Sequence, residues 1–284
     1  MNPQENARFK YDIVDTSKIL RKRLDICKVC QKGDLKYVKL YYQQHSSKLL
    51  DGNKLLKYAC TGGNLDTIDF LLSKVENINY EKCISGACRG GHLNLVKHFL
   101  SKIQSSKKSL NIWLFEACIG GNIDIVELML SKGADYLNWA FEYACEGGNI
   151  NIVRMLIQKG VISVTVGLDV ACRHGYIDIV QEILHNFPPQ KDLLEVIGRN
   201  NLDNPLKSAC IMRHEKIIKL LISTGAKLCN IDLDDLTVEY LYKIGVDLGK
   251  HTEKINELLR RLDISQNIMA TYLPGDLTSF IINY

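Results

Sequence analysis

Cys27 and Cys30 stand in a Cys-x-x-Cys pair, the spacing of a redox dithiol or of half a zinc site. A structural zinc needs four ligands, and no second Cys-x-x-Cys or His-x-x-x-His lies nearby to complete the set. Cys172 and His174 have the residue types of a nucleophile and its base. The Gly-Gly-Asn triplets at 62–64, 120–122 and 147–149 could be taken for phosphate cradles. A phosphate loop, however, follows a strand and ends in Lys-Ser/Thr, and neither feature is present. No paired carboxylates stand out for acid–base work. The expectation is therefore no enzyme, no metal and no cofactor.

The elements that hold these residues explain most of them. Cysteines recur at 30, 60, 88, 118, 145, 172 and 210, with successive gaps of 30, 28, 30, 27, 27 and 38 residues. Four residues before them sit Ile26, Leu56, Ile84, Leu114, Phe141, Leu168 and Leu206. One residue before them sit Val29, Ala59, Ala87, Ala117, Ala144, Ala171 and Ala209. Apolar residues at i, i+3 and i+4 make one buried stripe of a short helix, and small Ala and Cys let neighbouring helices approach closely. On this reading Cys30 and Cys172 are packing residues, and a thiol buried in apolar surroundings is inert. Helix starts are expected near Asn53, Asn111, Asn138, Thr165 and Asp203, which are good N-cap types. Pro205 falls near a first turn, where proline is tolerated.

Three residues after the cysteine come Gly33, Gly63, Gly91, Gly121, Gly148 and Gly175, suited to a left-handed turn that ends the helix. Arg213 replaces glycine in the seventh copy, so that turn should be less comfortable. A second helix follows, with apolar residues 5, 8, 11 and 12 after the cysteine, as in Leu65, Ile68, Leu71 and Leu72 or Ile123, Val126, Met129 and Leu130. The unit is helix, tight turn, helix, short loop. One unit has too little core to fold alone, and stacking buries a shared apolar seam.

Composition agrees with a folded chain: of 284 residues, 46% are hydrophobic and 24% charged, with 36 Lys+Arg against 32 Asp+Glu. The resulting +4 is spread along the sequence, not gathered into the basic face of a nucleic-acid binder. The first residues lack an apolar leader, and no stretch reaches the ~20 apolar residues of a membrane helix. An intracellular, cytoplasmic protein with reduced thiols is expected, with no nucleic-acid or membrane partner.

The copies YACTGGNLDTIDFLLSK, GACRGGHLNLVKHFLSK, EACIGGNIDIVELMLSKGAD and YACEGGNINIVRMLIQKG resemble ankyrin repeats. NPLKSAC at 204–210 resembles the opening of the family pattern. The resemblance covers about residues 23–247, with a degenerate eighth unit around LTVEYLYKIGVD. It implies an all-α ankyrin-repeat solenoid of about seven to eight repeats, with trimmed finger loops because these repeats are shorter than the usual ~33 residues. His92 and His214 occupy the family's turn histidine and are expected to hydrogen-bond within the turn. The ACxGGNLDIV style is similar to ankyrin proteins of giant DNA viruses of amoebae. It implies the host cytoplasm or the virion as a location, and intracellular bacteria make similar proteins.

Residues 1–22 are expected to form an N-terminal cap, 23–250 the solenoid and 251–284 a capping helix and tail. The long gap before Cys210 holds an insertion near 186–203, either a partner-contacting protrusion or a loop without a role. The tail residues Leu273, Pro274, Asp276, Leu277 and Ile281 resemble the opening of an F-box, which would make ubiquitin-ligase components partners. The other reading of the same segment, which its shortness favours, is a C-terminal helix packed on the solenoid.

Binding positions should vary where packing positions repeat. Residues two before and one after the cysteine share the face opposite the buried stripe. The resemblance implies that the first helices line a concave, partner-holding surface. Tyr58, Arg89, Ile119, Tyr143 and Arg173 are the candidate contacts there, with Trp113 and Trp139 extending the patch toward the loops. The leading expectation is a non-catalytic scaffold for another protein. A ligase substrate receptor and a structural component of a viral particle are the alternatives.

Overall fold

A computed structural model describes residues 25–44, 51–187, 202–228, 231, 233–247 and five positions from 253 to 260. Every regular element with more than one turn among them is an α-helix. The pairs are α1 (Ile26–Lys32) with α2 (Leu35–Gln44), α3 (Gly52–Gly62) with α4 (Leu65–Leu72), and α5 (Tyr80–Gly90) with α6 (Leu93–Leu100). They continue with α7 (Lys107–Gly120) and α8 (Ile123–Ser131), α9 (Leu137–Gly147) and α10 (Ile150–Gln158), and α11 (Thr165–His174) and α12 (Ile177–Asn186). The last are α13 (Asp203–Ile211) with α14 (Glu215–Ser223), then α15 (Asp235–Lys243). The chain divides into two compact units, Met1–Leu156 and Ile157–Tyr284. In the first, α1, α3, α5, α7 and α9 pack side by side in chain order, while α2 packs on α4 and α6 on α8. In the second, α11 packs on α13, α12 on α14 and α13 on α15. This is an all-α repeat fold, as the periodicity predicts. The N-terminal cap, the insertion from 188 to 201 and the F-box-like tail lie outside the described residues.

The buried stripe is one column wider than the sequence reading. In six of the seven copies the residue five before the cysteine is buried too, as in Leu55, Cys83, Trp113 and Ala140; the exception is the exposed N-cap Asp25. With the columns four before, one before and at the cysteine, it gives an i, i+1, i+4, i+5 face pressed between neighbouring helices. Ala59, Ala87, Ala117, Ala144, Ala171 and Ala209 and all seven repeat cysteines are fully buried. On the second helix the buried residues are those 7, 8 and 11 after the cysteine, such as Ile125, Val126 and Met129. The position five after it, read as part of that stripe, points outward: Leu65 is 60% exposed and Ile123 39%. It is the first residue of its helix, at the open end of the turn.

The helices begin within one residue of Asn53, Asn138, Thr165 and Asp203, and four residues before Asn111, but none of the five is the N-cap. Caps nearer the loop take precedence: Asp51 accepts from Lys54 N–H at 3.1 Å, and Ser106 Oγ from Ser109 N–H at 3.1 Å. This frees the asparagines to hold the next loop. Asn53 Oδ1 accepts from Asn79 N–H at 2.7 Å and its Nδ2 donates to Asn77 O at 2.8 Å. Asn111 Oδ1 accepts from the N–H groups of Asp135 at 2.9 Å and Tyr136 at 3.1 Å.

Four of the turns carry a double glycine, and its two residues have separate uses. The second position takes the left-handed conformation, with φ between 72° and 81° at Gly33, Gly63, Gly91, Gly121, Gly148 and Gly175. Arg213 is forced into the same region at φ 60°, the strained turn anticipated from its type. The first glycine instead meets the preceding helix: a Cβ at Gly62, Gly90, Gly120 or Gly147 would strike a backbone carbonyl of the neighbouring repeat. The next residue then reaches back to that neighbour. Asn122 Nδ2 donates to Gly91 O at 3.2 Å while its Oδ1 caps α8 at Ile125 N–H, 3.0 Å away. Asn149 does likewise with Gly121 O at 2.9 Å and Ile152 N–H at 3.1 Å. His92 and His214 bond not within the turn, as expected, but across to Thr61 O and Arg173 O, each at 3.1 Å.

Gly147→Ala should therefore destabilise the fold by about 1–3 kcal/mol, because its Cβ would sit 2.6 Å from the Ile119 carbonyl oxygen. Urea unfolding followed by circular dichroism measures this. An unchanged midpoint would remove close helix approach as the reason for that glycine.

Candidate functional site

The outward face of the first helices carries four columns, at six, three and two before the cysteine and one after it. These positions are i, i+3, i+4 and i+7 of one helix, so they share a side. On α7 they are Ile112, Phe115, Glu116 and Ile119, and on α9 Trp139, Glu142, Tyr143 and Glu146. The sequence reading used only the last two columns and so passed over Ile112, Phe115 and Glu142. The signal was present, since one further turn of the same helix supplies them.

Within the first unit, Glu116 is the electrostatic centre of this face. Its carboxylate accepts from Lys57 Nζ on α3 at 3.0 Å, from Ser85 Oγ on α5 at 3.0 Å and from Arg89 Nε on α5. Burial pushes its carboxyl up, but the hydrogen bonds and charges of Lys57 and Arg89 outweigh this and hold it below the usual range. Beside it the aromatic rings gather. Phe115 stacks on Tyr143 with centroids 5.0 Å apart, and lies 6.5 Å from the near-parallel ring of Trp139. Trp139 is 56% exposed and Ile112 45%.

The candidate contacts therefore divide. Tyr58, Ile119 and Tyr143 are half-buried on this face, and Arg89 reaches it from within the Glu116 network. Trp139 belongs with them. Trp113 does not: it is 1% exposed and its Nε1 donates to Glu81 O at 3.2 Å, so it is core. It stands five before its cysteine, in the buried column that the sequence reading missed. Arg173 lies in the second unit, paired to Asp169 at 2.7 Å one turn earlier on α11, where Ser208 Oγ of α13 also donates to Asp169.

Cys27, Cys30 and Cys172 are packing residues, whereas His174 is exposed. Nine described cysteines are free and buried, and Cys229 lies outside the described residues. Burial pushes the thiols of Cys30 and Cys210 up to about 12, and raises Cys118 and Cys172 further. Thiolates are not available at neutral pH under those conditions. Cys27 is raised by burial and by the nearby Asp25 carboxylate. His174 stacks on Tyr176 at 5.7 Å, on the exposed side of α11, while Cys172 faces the seam. Among the described residues no group of three His, Cys, Asp or Glu side chains converges as a metal site would require. A polar groove of about 670 Å³ at the loop ends of α3 and α5 is lined by Asn53, Asn77, Asn79, Tyr80 and Glu81, and Asn53 already ties Asn77 and Asn79 together. No helix among the described residues is long and apolar enough to cross a membrane.

Two outcomes follow. The buried thiols should react with a maleimide only as urea unfolds the helices; rapid labelling of Cys172 in the native chain would contradict its placement. Glu116→Gln should lower stability at neutral pH by about 1–2 kcal/mol, since a carboxylate holding two cations is removed. The folded carboxyl lies below its unfolded value, so its contribution is complete above the ordinary glutamate pKa and is lost as pH falls through the folded one. The gap between wild type and variant in urea midpoint should close on acidification. A gap independent of pH would show that Glu116 acts through packing alone.

No protein-family model matches the chain, and no curated protein matches it. Among solved structures it is similar to the human ASB11 ankyrin repeat domain, at 22% identity over 61% of this chain and 85% of that one, with a TM-score of 0.44. The repeat architecture rests on the helix pairs themselves.

Proposed function

We propose that this chain is a non-catalytic interaction scaffold that binds a partner protein on the outward face of its first helices. One observation carries the reading. Along a single chain the inward columns keep their residue type from repeat to repeat, Ala before Cys in six of the seven copies (Val29 in the first) with a larger apolar residue four before, while the outward columns do not. Two before the cysteine, the sequence runs Lys28, Tyr58, Glu116, Tyr143, Val170 and Ser208, apart from the buried Gly86, which is held to glycine by the Lys57 carbonyl beside it. Stacking constrains chiefly the inward side. The outward side is therefore free to specify a partner, and it presents Tyr58, Arg89, Ile119, Trp139 and Tyr143 in the first unit. Large aromatics and arginine are the residue types that anchor protein interfaces. Burial of every described thiol supports the absence of catalysis by those groups.

Affinity capture from the native cell, read by mass spectrometry, tests this. A variant with Tyr58, Ile119 and Trp139 changed to alanine should lose a wild-type partner by about tenfold or more. A control with Lys97 and Glu127 changed to alanine, on the second helices α6 and α8, should keep it. Loss in the control alone would move the site to the second helices, and a partner retained by both would reject the first-helix face.

A further inference from the structure

Building on that reading, we infer that the partner segment seated across α7 and α9 is apolar and basic: it places a lysine or arginine side chain between the aromatic rings and the carboxylates of α9.

The face provides both halves of such a site. Phe115, Tyr143 and Trp139 form a continuous aromatic platform, with ring centroids 5.0 and 6.5 Å apart, and Ile112 and Trp139 border it as exposed apolar groups. The faces of aromatic rings attract cations as well as apolar side chains. On the same side of α9 stand Glu142 and Glu146, one turn apart. The other acidic residues in these columns are occupied. Glu116 holds Lys57, Ser85 and Arg89, and Asp169 holds Arg173 and Ser208. Among the described residues no cation and no donor reaches Glu142 or Glu146. Glu142 is also half-buried, and loss of water around its carboxyl holds it above the usual range. A partly desolvated carboxylate without a partner is unfavourable. A guanidinium or ammonium from a bound segment supplies the missing charge, and its apolar neighbours cover the rings. An acidic segment would meet repulsion at the same place, so the arrangement discriminates as well as attracts.

The test uses the full chain and short fluorescent peptides of one apolar framework, carrying arginine, glutamine or glutamate at the polar positions. Binding is read by anisotropy and by tryptophan emission. Trp113 is buried, so Trp139 supplies the response, and Trp139→Phe should abolish it. The arginine peptide should bind about tenfold tighter than the glutamine peptide and tighter still than the glutamate peptide. Bulk attraction cannot produce that order, because the chain carries +4 overall. Glu142→Gln with Glu146→Gln should remove the preference. Glu142→Lys with Glu146→Lys should invert it toward the glutamate peptide, an outcome that misfolding cannot imitate. Equal binding of all peptides, or a preference unchanged in these variants, overturns the basic class and leaves the scaffold reading intact. Failure of the arginine peptide to bind overturns the inference as well, while cell-based capture decides the scaffold reading separately.

Discussion

The structure depends on how closely the first helices approach. Alanine and cysteine fill the contact, and Gly62, Gly90, Gly120 and Gly147 let the backbone touch the carbonyl of the preceding repeat. Once the helices are that near, polar side chains can reach between repeats. Asn122, Asn149, His92 and His214 each contact a main-chain oxygen of the preceding repeat. Asn53 and Asn111 hold the following loop. Within the first unit, neighbouring repeats are thus joined by an apolar seam, by the turn contacts of His92, Asn122 and Asn149, and by the loop contacts of Asn53 and Asn111. Larger residues in the seam would push the backbones apart and break these bonds together.

The same closeness decides what the cysteines can do. A thiol must lose its proton to attack or to bind a metal, and the seam excludes the water and cations that would stabilise the anion. Cysteine serves here as a small, polarisable apolar residue, slightly larger than alanine and compact enough for the gap. The asymmetry of the fold follows. Chemistry-bearing residue types are turned inward, while the outward face displays rings, carboxylates and arginines.

Much of this was legible in the sequence. The three-column stripe, the left-handed glycines and the strain at Arg213 came directly from spacing and residue type, because each reflects a local rule of helix geometry. The interactions between repeats were not legible in the same way. Asn53 and Asn111 are residues of the cap type, and only the presence of Asp51 and Ser106 immediately before their helices releases them for the loop. Trp113 and Trp139 stand at nearly the same place in consecutive repeats, yet one is core and the other surface. They differ by a single column, or roughly 100° of helix, which decides burial but is easily lost when repeats are aligned on their cysteines alone. Glu116 was read as one outward residue among many, since its partners Lys57 and Arg89 lie in other repeats.

Glu116 also affects how the array comes apart. In a linear stack each repeat ordinarily touches only those beside it, so cooperativity passes along the chain one junction at a time. The Lys57 ammonium belongs to α3 and the Glu116 carboxylate to α7, so this ion pair skips the repeat between them, while Arg89 and Ser85 fasten that middle repeat to the same carboxylate. Three successive repeats share one counter-charge. Partial opening at either of the two junctions they span would strand a half-buried charge, which makes the three melt as a block, whereas junctions without such a bridge can open singly.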